Sequence, residues 1–421
     1  MCLTIPAKIL KVSQGKAEIF KDNQKTVIST AATPEAKSGD WILYISDFAI
    51  KIISPKDAKE ILNLLESRPQ VSADNLDENF KKIITKIRAQ KELTKKDIIY
   101  LLKTEGKEKE TLYVEADVAR KANLKDFICI HGILEFSNYC KNDCFYCGIR
   151  CKNSQIDRFR LTPKEIVRAA GKAAKRGYKI LVLQSGEDYY YSDKILASIV
   201  KEIKQKYRLF VILSIGERDY KTYKILKDAG TNGVLFRFET SNPKLFNDFH
   251  KNGKNLTTRL EHLEFMKELG YYIATGSIVG LPNQTIDDLA DDILTTKKWA
   301  NMISTGPFIP TKNTPLAKFS EGNVEMTFKM IAIFRLLNSK IRIPVTTALE
   351  TLNPKDGRKK ALSCGANSLM FNVTPREFRE QYKIYDNKFF ANEKMWEKYG
   401  LFDLENSYRM LEDKMANEIK K

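Results

Sequence analysis

Three cysteines stand close together in the segment Glu135-Phe-Ser-Asn-Tyr-Cys140-Lys-Asn-Asp-Cys144-Phe-Tyr-Cys147-Gly148, at the spacing Cys-x3-Cys-x2-Cys. Thiolates are soft ligands that suit zinc and iron–sulfur clusters. Three of them on one short loop can each take one iron of a cubane cluster and leave the fourth iron open to a chelating small molecule. A tetrahedral zinc site would need a fourth donor, for which Cys151 is the nearest candidate. The chain has seven cysteines in all, the others being Cys2, Cys129 and Cys364. An odd count in a chain of this length argues against a disulfide framework. Outside the loop, Cys129 and Cys364 read as small core or surface residues, and so does Cys151 if iron is bound.

A loop of this kind must be held by rigid elements. From Phe127 onward, an apolar run followed by an amphipathic helical pattern repeats. The strand candidates are Phe127–Glu135, Ile180–Gln184, Leu209–Ser214, Gly233–Phe238, Ile273–Val279, Met302–Ile309, Ile343–Ala348 and Ser368–Val373. Eight strands alternating with helices predict an α/β fold, a (β/α)8 barrel of the TIM type. Leu256, Leu260, Leu263, Met266 and Leu269 mark one face of a helix packed on the sheet. Gly177, Gly230, Gly270 and Gly365 follow helical stretches, as left-handed caps would. In such a barrel the strand ends face one mouth, where the chemistry belongs. The polar residues at those ends include Ser137, Asn138, Gln184, Ser185, Glu187, Ser214, Glu217, Glu239, Asn283, Thr311, Thr346, Thr347 and Asn372. The cysteine loop follows the first barrel strand.

The N-terminal part has a different texture. Short β-type runs at Ala7–Val12, Lys16–Phe20, Thr26–Ser29, Trp41–Ile45 and Ala49–Ile53 are separated by turn residues. Five such runs predict a small all-β barrel of the OB type, followed by a helix from about Pro55 to Ser67. The expected organisation is an OB-like domain over 1–68, a linker over 69–77, the barrel with its N-terminal helices over 78–390, and a helical tail over 391–421.

With 71 Lys and Arg against 53 Asp and Glu, the 421-residue chain carries a formal charge of +18. The lysines are spread along the whole sequence rather than interleaved with aromatics, so the charge reads as a solvated surface and not as a nucleic-acid footprint. A basic surface would still attract an acidic electron donor. No apolar run approaches the length of a membrane span, and the N-terminus lacks the pattern of a secretory signal. A cytoplasmic location is expected.

The cysteine spacing, with Tyr146 just before the third Cys, resembles the signature of the radical S-adenosylmethionine (SAM) superfamily. That resemblance implies a [4Fe–4S] cluster on Cys140, Cys144 and Cys147, with SAM chelated by the open iron and cleaved by one electron to methionine and a 5′-deoxyadenosyl radical. It also implies SAM contacts from Tyr146, from Ser185 and Glu187 in the tripeptide Ser185-Gly186-Glu187, from Glu239 at the end of strand four, from Arg259 on the following helix, and from Gly276 in Gly276-Ser-Ile-Val-Gly280-Leu-Pro282. Longer strings narrow the likeness. Ile133-Leu-Glu-Phe-Ser-Asn-Tyr-Cys140, Val182-Leu-Gln-Ser-Gly-Glu-Asp188, Gly280-Leu-Pro-Asn-Gln-Thr-Ile-Asp-Asp288, Gly306-Pro-Phe-Ile-Pro310, Ile343-Pro-Val-Thr-Thr347 and Cys364-Gly-Ala-Asn367 resemble the HydE family of [FeFe]-hydrogenase maturases. That family implies a closed barrel whose interior takes a cysteine-bound iron carbonyl–cyanide unit destined for the diiron subcluster. Gln184, Arg237, Thr346, Thr347, Met302, Met370, Tyr382 and Tyr385 would line the cavity, and so would His131. The chain departs from the pattern at three places: His131 stands where an Arg is implied, Ile212 where a Thr is, and Phe238 where a His is.

Met1-Cys2-Leu3-Thr4-Ile5-Pro6-Ala7-Lys8-Ile9 resembles the start of the HypC family of [NiFe]-hydrogenase assembly chaperones, which implies that Cys2 is an iron ligand. The implied partners are other hydrogenase maturases and a ferredoxin- or flavodoxin-type electron donor. Two other readings stand beside the maturase: a radical SAM enzyme of small-molecule metabolism, similar to methylornithine synthase or biotin synthase, and a non-enzymatic iron-fragment carrier.

Overall fold

In a computed structural model of the chain, the described residues are 5–21, 24–45, 48–59, 76–124, 127–253 and 255–389. They fall into two compact units, 5–59 and 76–389. Cys2, most of the expected linker and the expected tail lie outside the described residues.

The first unit is a closed five-stranded barrel. Its strands are β1 (Ile5–Ser13), β2 (Lys16–Lys21), β3 (Gln24–Ser29), β4 (Trp41–Ile45) and β5 (Phe48–Ile53). They join in the order β1-β2-β3-β5-β4, and β4 returns to β1. All pairs are antiparallel except β3 with β5. Every second residue turns inward, so Ala7 and Ile9, Ala17 and Ile19, and Ile42 and Tyr44 fill the core with Ile28 and Ala49. Small residues among them suit the narrow bore of such a barrel. Of the expected helix after β5, residues 55–59 are helical, and the rest lies outside the described residues.

The second unit is the expected parallel barrel. Its strands and short bridging segments run β6 (Cys129–Ser137), β7 (Asp143–Cys144), β8 (Ile180–Ser185), β9 (Phe210–Ser214), β10 (Gly233–Leu235), β11 (His250–Lys251), β12 (Tyr272–Thr275), β13 (Ile278–Val279), β14 (Met302–Ile303), β15 (Gly306–Pro307), β16 (Pro344–Val345) and β17 (Ser368–Asn372). Eight of these form one parallel sheet in the order β14-β12-β10-β9-β8-β6-β17-β16. A parallel bridge from Met302 to Arg342, just ahead of β16, brings the two ends of that sheet together.

Four expected strands are clearly shorter than their apolar runs, one of them Gly233–Phe238, of which β10 keeps only Gly233–Leu235. The run Ile273–Val279 breaks at Gly276-Ser277, and Met302–Ile309 breaks at Ser304-Thr305. Beyond each break, β13 and β15 pair only with each other. The run Ile343–Ala348 stops at Val345, because Thr346 caps the helix Thr347–Leu352, its side chain accepting from the Leu349 amide. A threonine followed by helix formers favours the cap over a longer strand. Ahead of the barrel, the helical pattern divides into Glu78–Arg88 and Lys95–Lys103. The break coincides with Gln90, whose φ is +53°, and with a capping box formed by Thr94 and Asp97. The next helix is Gly106–Leu124.

Candidate active site

The cysteine loop is clamped to the mouth from three sides. On the first, Ser137 at the end of β6 accepts the Gly186 amide through its carbonyl (3.1 Å), and the Glu187 amide points at the Cys140 sulfur at 3.4 Å. A Cβ at Gly186 would lie 2.3 Å from the Tyr139 carbonyl oxygen and 2.7 Å from Cys140 Cβ. Only glycine lets these two loops touch. On the second side, Cys144 belongs to β7, which pairs antiparallel with His250 and Lys251 of β11. On the third, the Gly148 amide donates to the Ile384 carbonyl (2.9 Å). Arg158 ties the loop together. Its guanidinium donates to the carbonyls of Asn138, Ile149, Arg150 and Asn153 at 2.5–3.1 Å. Four backbone acceptors leave that side chain one conformation.

The three thiols feel one another. Burial pushes all of them up, and the charge of its two neighbours lifts Cys144 further still. Cys147 is pushed up to about 12 by burial and by the charge of Cys140. Thiolates gathered in a buried place call for a compensating cation, and a bound iron cluster provides one. Among the described residues, no three Cys, His, Asp or Glu side chains close on a single-ion site. A cubane spreads its ligands over three irons, so this spacing fits a cluster better than zinc. Cys151 is exposed and its sulfur accepts a weak bond from Asn252 at 3.7 Å.

Beside the thiols lies a ring of charged groups from successive strand ends. Arg259 is half-buried against the Phe236 ring, with its guanidinium carbon 4.2 Å from the ring centroid. Its Nε donates to the Arg237 carbonyl (2.8 Å), and its Nη1 donates to Glu217 Oε1 (2.9 Å) and lies 3.8 Å from Glu187 Oε1. Burial would favour loss of the Arg259 proton, but the carboxylates of Glu217 and Glu187 outweigh it and hold the charge more firmly. Arg237 pairs with Glu239 (3.1 Å) and donates to the Ser277 carbonyl (2.8 Å). Glu239 itself has φ +66°, its amide bonded to the Gly276 carbonyl and its carbonyl to the Ile278 amide. A left-handed glutamate is costly and is retained where its side chain must be aimed.

Three atoms of this ring, Glu187 Oε2, Glu239 Oε2 and Arg237 Nε, are buried without a hydrogen bond, although Glu239 Oε2 is in ion-pair reach of Arg237 Nη2 (3.1 Å) and Glu187 Oε2 of Lys141 (3.5 Å). Buried polar atoms rarely stay unpaired unless a ligand completes them. Two carboxylate oxygens and a guanidinium N–H converging beside three thiols suit a zwitterionic ligand such as the amino acid end of SAM. On the far side of the loop, His250 gives its Nδ1 proton to the Phe246 carbonyl (2.8 Å), so Nε2 accepts from the Tyr146 hydroxyl (2.7 Å). Burial lowers His250 to about 3 and keeps it neutral.

The Radical SAM superfamily profile matches residues 134–295, and the HupF/HypC family profile matches residues 1–65. Over 286 residues the chain is 44% identical to the [FeFe] hydrogenase maturase subunit HydE of Thermotoga maritima, across 68% of this chain and 81% of that one. This chain belongs to the HydE family of radical SAM enzymes. It carries a HupF/HypC domain at its N-terminus. It is also 30% identical to the 3-methylornithine synthase of Methanosarcina barkeri, across 70% of this chain and 84% of that one. The crystal structure of methylornithine synthase superposes with a TM-score of 0.67 at 25% identity, over 78% of this chain and 95% of that one.

Within this HydE-family barrel, the expected cavity residues separate into two groups. Near the mouth, Gln184 Nε2 donates to the Tyr382 hydroxyl (3.3 Å). Arg237 faces Glu239, and Tyr385 lies on the same irregular segment as Tyr382, close to Thr351 and Glu350. Thr346 is held by its cap, and Thr347 opens the helix behind it. At the floor, Met302 is fully buried among Cys129, Ile180, Val182, Ile212 and Ala274, with Met370 packed against them. His131 is fully buried too, with Ser368 Oγ at 3.0 Å from Nδ1 and Cys129 Sγ at 3.4 Å from Nε2. Apolar packing surrounds Met302, and both ring nitrogens of His131 have partners within the protein. At Gly276 a Cβ would lie 2.5 Å from the Ser304 carbonyl oxygen and 2.6 Å from Thr305 Oγ1, so the close approach of the segment after β14 requires the glycine.

Sequence reasoning missed the parts that brace this site. Glu135 on β6 pairs with Lys388 and accepts from Asn372 Nδ2 (2.7 Å). Asp292 accepts from the Ser241 amide and hydroxyl and from Gln284 Nε2; burial holds its carboxyl up to about 7. Glu217 is visible in sequence as a polar strand end, but Lys388 and Arg158 stand in irregular segments where nothing in the pattern marks them.

Proposed function

We propose that Cys140, Cys144 and Cys147 hold a [4Fe–4S] cluster, and that Glu187, Glu239 and Arg259 hold SAM against its open iron. With both bound, the chemistry available there would be one-electron reductive cleavage of the sulfonium C–S bond, giving methionine and a 5′-deoxyadenosyl radical. The chain's own residues bind and orient. Glu187 and Glu239 accept from the SAM amino group and ribose, and Arg237 and Arg259, each within ion-pair reach of one of those carboxylates, orient them. Ser185, Tyr146 and the Gly276 turn shape the surrounding wall. Gln184, Arg237, Tyr382, Tyr385, Thr346 and Thr347 face the substrate, with hydroxyl, amide and guanidinium donors suited to carbonyl, cyanide or carboxylate groups. The product serves assembly of a hydrogenase metal centre, the diiron subcluster with its carbonyl and cyanide ligands. The N-terminal domain, through Cys2, receives or passes on an iron fragment. The whole acts in the cytoplasm with other maturases and an acidic electron donor.

The observation that carries this reading is the set of buried atoms without hydrogen bonds on Glu187, Glu239 and Arg237 beside the three thiols. A carrier without chemistry would have no use for them. The likeness to 3-methylornithine synthase supports a second reading, rearrangement of a small amino acid by the same radical. The test is anaerobic reconstitution with iron and sulfide, then addition of SAM and dithionite. Formation of 5′-deoxyadenosine by the parent and not by Cys144→Ala is expected. If the parent gives none, both enzyme readings fall.

A further inference from the structure

The helix Pro163–Lys175 carries Lys164, Arg168, Lys172 and Lys175, all exposed, on the face that borders a groove shared with Glu202, Lys206 and Tyr207 of the next helix. Lys164, Arg168 and Lys172 follow one another at i, i+4 and i+8, so each repels the next at helical spacing. Lys164 also sits in the first turn, where the helix dipole disfavours a cation. None of the four forms an ion pair with a described residue. On the other wall, Lys206 already has Glu202 (2.6 Å). Tyr207 packs directly on the helix at Gly171, where a Cβ would lie 2.4 Å from the Tyr207 hydroxyl. Local stability does not explain this row of charge.

The row leads to the cluster loop. Two residues before the helix, Arg160 stacks over Tyr139, with its guanidinium carbon 3.7 Å from the ring centroid, and also over Tyr190 at 4.6 Å. It pairs with Asp188 (2.7 Å). Tyr139 precedes Cys140, and the Glu187 amide points at the Cys140 sulfur. Tyr189 and Tyr190, 51% and 60% exposed, cap this end of the row. Tyr189 accepts from Lys141 (3.1 Å) and donates to the Glu217 carbonyl (3.1 Å). A short path of packed groups therefore joins exposed aromatic surface to one cluster ligand, with unneutralised cations running away from it along one helix.

We infer that this face, from Tyr190 along Lys164, Arg168, Lys172 and Lys175, docks a small acidic one-electron carrier protein and that electrons enter at Cys140. The inference rests on the proposed cluster and SAM reading, which requires one electron for each SAM cleaved. An acidic surface satisfies the four cations, and the tyrosines supply the apolar contact that docking surfaces favour. A nucleic acid would meet the charge, but the aromatics lie at one end of the row, at Tyr189 and Tyr190, and are not interleaved with the four cations as a base-stacking track requires.

The probe is an acidic [2Fe–2S] ferredoxin, titrated calorimetrically into the full chain with and without reconstituted cluster at low and high salt. The expected result is binding that weakens steeply with salt and falls about tenfold or more in Arg168→Glu/Lys172→Glu, with Tyr190→Ser slowing cluster reduction by the ferredoxin. Reduction by dithionite and dithionite-driven 5′-deoxyadenosine should be unchanged in these variants. Equal ferredoxin affinity in parent and charge-reversed protein would overturn the docking face. So would tighter binding of a single-stranded RNA of matched charge with the same dependence on Arg168 and Lys172. Loss of dithionite-driven product in the parent would instead overturn the cluster and SAM reading, which keeps the two failures distinct.

Discussion

The two ends of the barrel are built from the same eight strands and differ in what their polar atoms have been given. At the floor, Met302, Ile212 and Val182 pack together, and His131 has a partner on each ring nitrogen. Ser368 donates to the Cys129 carbonyl, so it accepts from His131 Nδ1–H, and Nε2 is left to accept from the Cys129 thiol. At the mouth, Glu187, Glu239 and Arg237 keep buried atoms that no hydrogen bond satisfies. Folding satisfies the floor by itself and leaves the mouth unfinished. An unfinished polar site that persists beside three thiols is completed by something the chain binds.

The contrast can be broken or sharpened by substitution. The largest effect is expected at Arg259. Replacing it with Met leaves Glu217 and Glu187 buried without their cation, which costs about 3–5 kcal/mol. Calorimetric unfolding should report a large fall in Tm. The double variant Arg259→Met/Glu217→Gln should regain part of that stability without regaining SAM affinity. Recovery of both would make Arg259 a purely structural residue.

Glu239→Gln comes next. It removes an acceptor charge at the mouth but keeps the side-chain volume. A hydrogen bond to a charged group contributes roughly 1.5–3 kcal/mol, so SAM affinity should fall about tenfold or more in equilibrium dialysis while the Tm barely moves.

The floor makes its own prediction through pH. Burial lowers His131 to about 3 from its ordinary 6.5. Between those values the unfolded chain binds a proton that the folded chain refuses, so stability falls as pH drops from about 6.5 towards 3. The slope approaches about 1.4 kcal/mol per pH unit for one such group. His131→Asn should unfold with a shallower pH dependence across that window in urea titrations at fixed temperature. The opposite sign is expected of Asp292, which burial raises to about 7 from 3.8; its contribution is present at acid pH and is lost as pH rises towards 7. The smallest effect belongs to Met302→Leu, a volume-conserving change expected to cost less than about 1.5 kcal/mol and to leave SAM affinity where it was. A drop in SAM affinity there would erase the distinction between floor and mouth.

Much of this architecture was legible in the amino-acid order. Eight apolar runs became eight parallel strands, and Gly177, Gly230, Gly270 and Gly365 all take positive φ where helices end. Five short alternating runs became a closed barrel. The thiol loop and the strand-end acids were legible because spacing and periodicity place them at one mouth. Strand length was not, because Val345 yields to a threonine cap and Thr275 to a glycine pressed against Ser304, and both depend on neighbours distant in sequence. Direction across the barrel was not legible either. His131 and Met302 lie on inward strands like Gln184, and only the depth of each along its strand decides whether it meets neighbours or ligand. Arg158 and Lys388 act through carbonyls and a buried Glu135 that no periodic pattern reveals.

The measurement closest to the central claim is the electron paramagnetic resonance spectrum of the reduced, reconstituted protein before and after SAM. A ligand completing the mouth should change the spectrum of the cluster in the parent and in Met302→Leu, and at a SAM concentration near the parent's Kd the change should be much smaller in Glu239→Gln. A parent spectrum indifferent to saturating SAM would contradict the account.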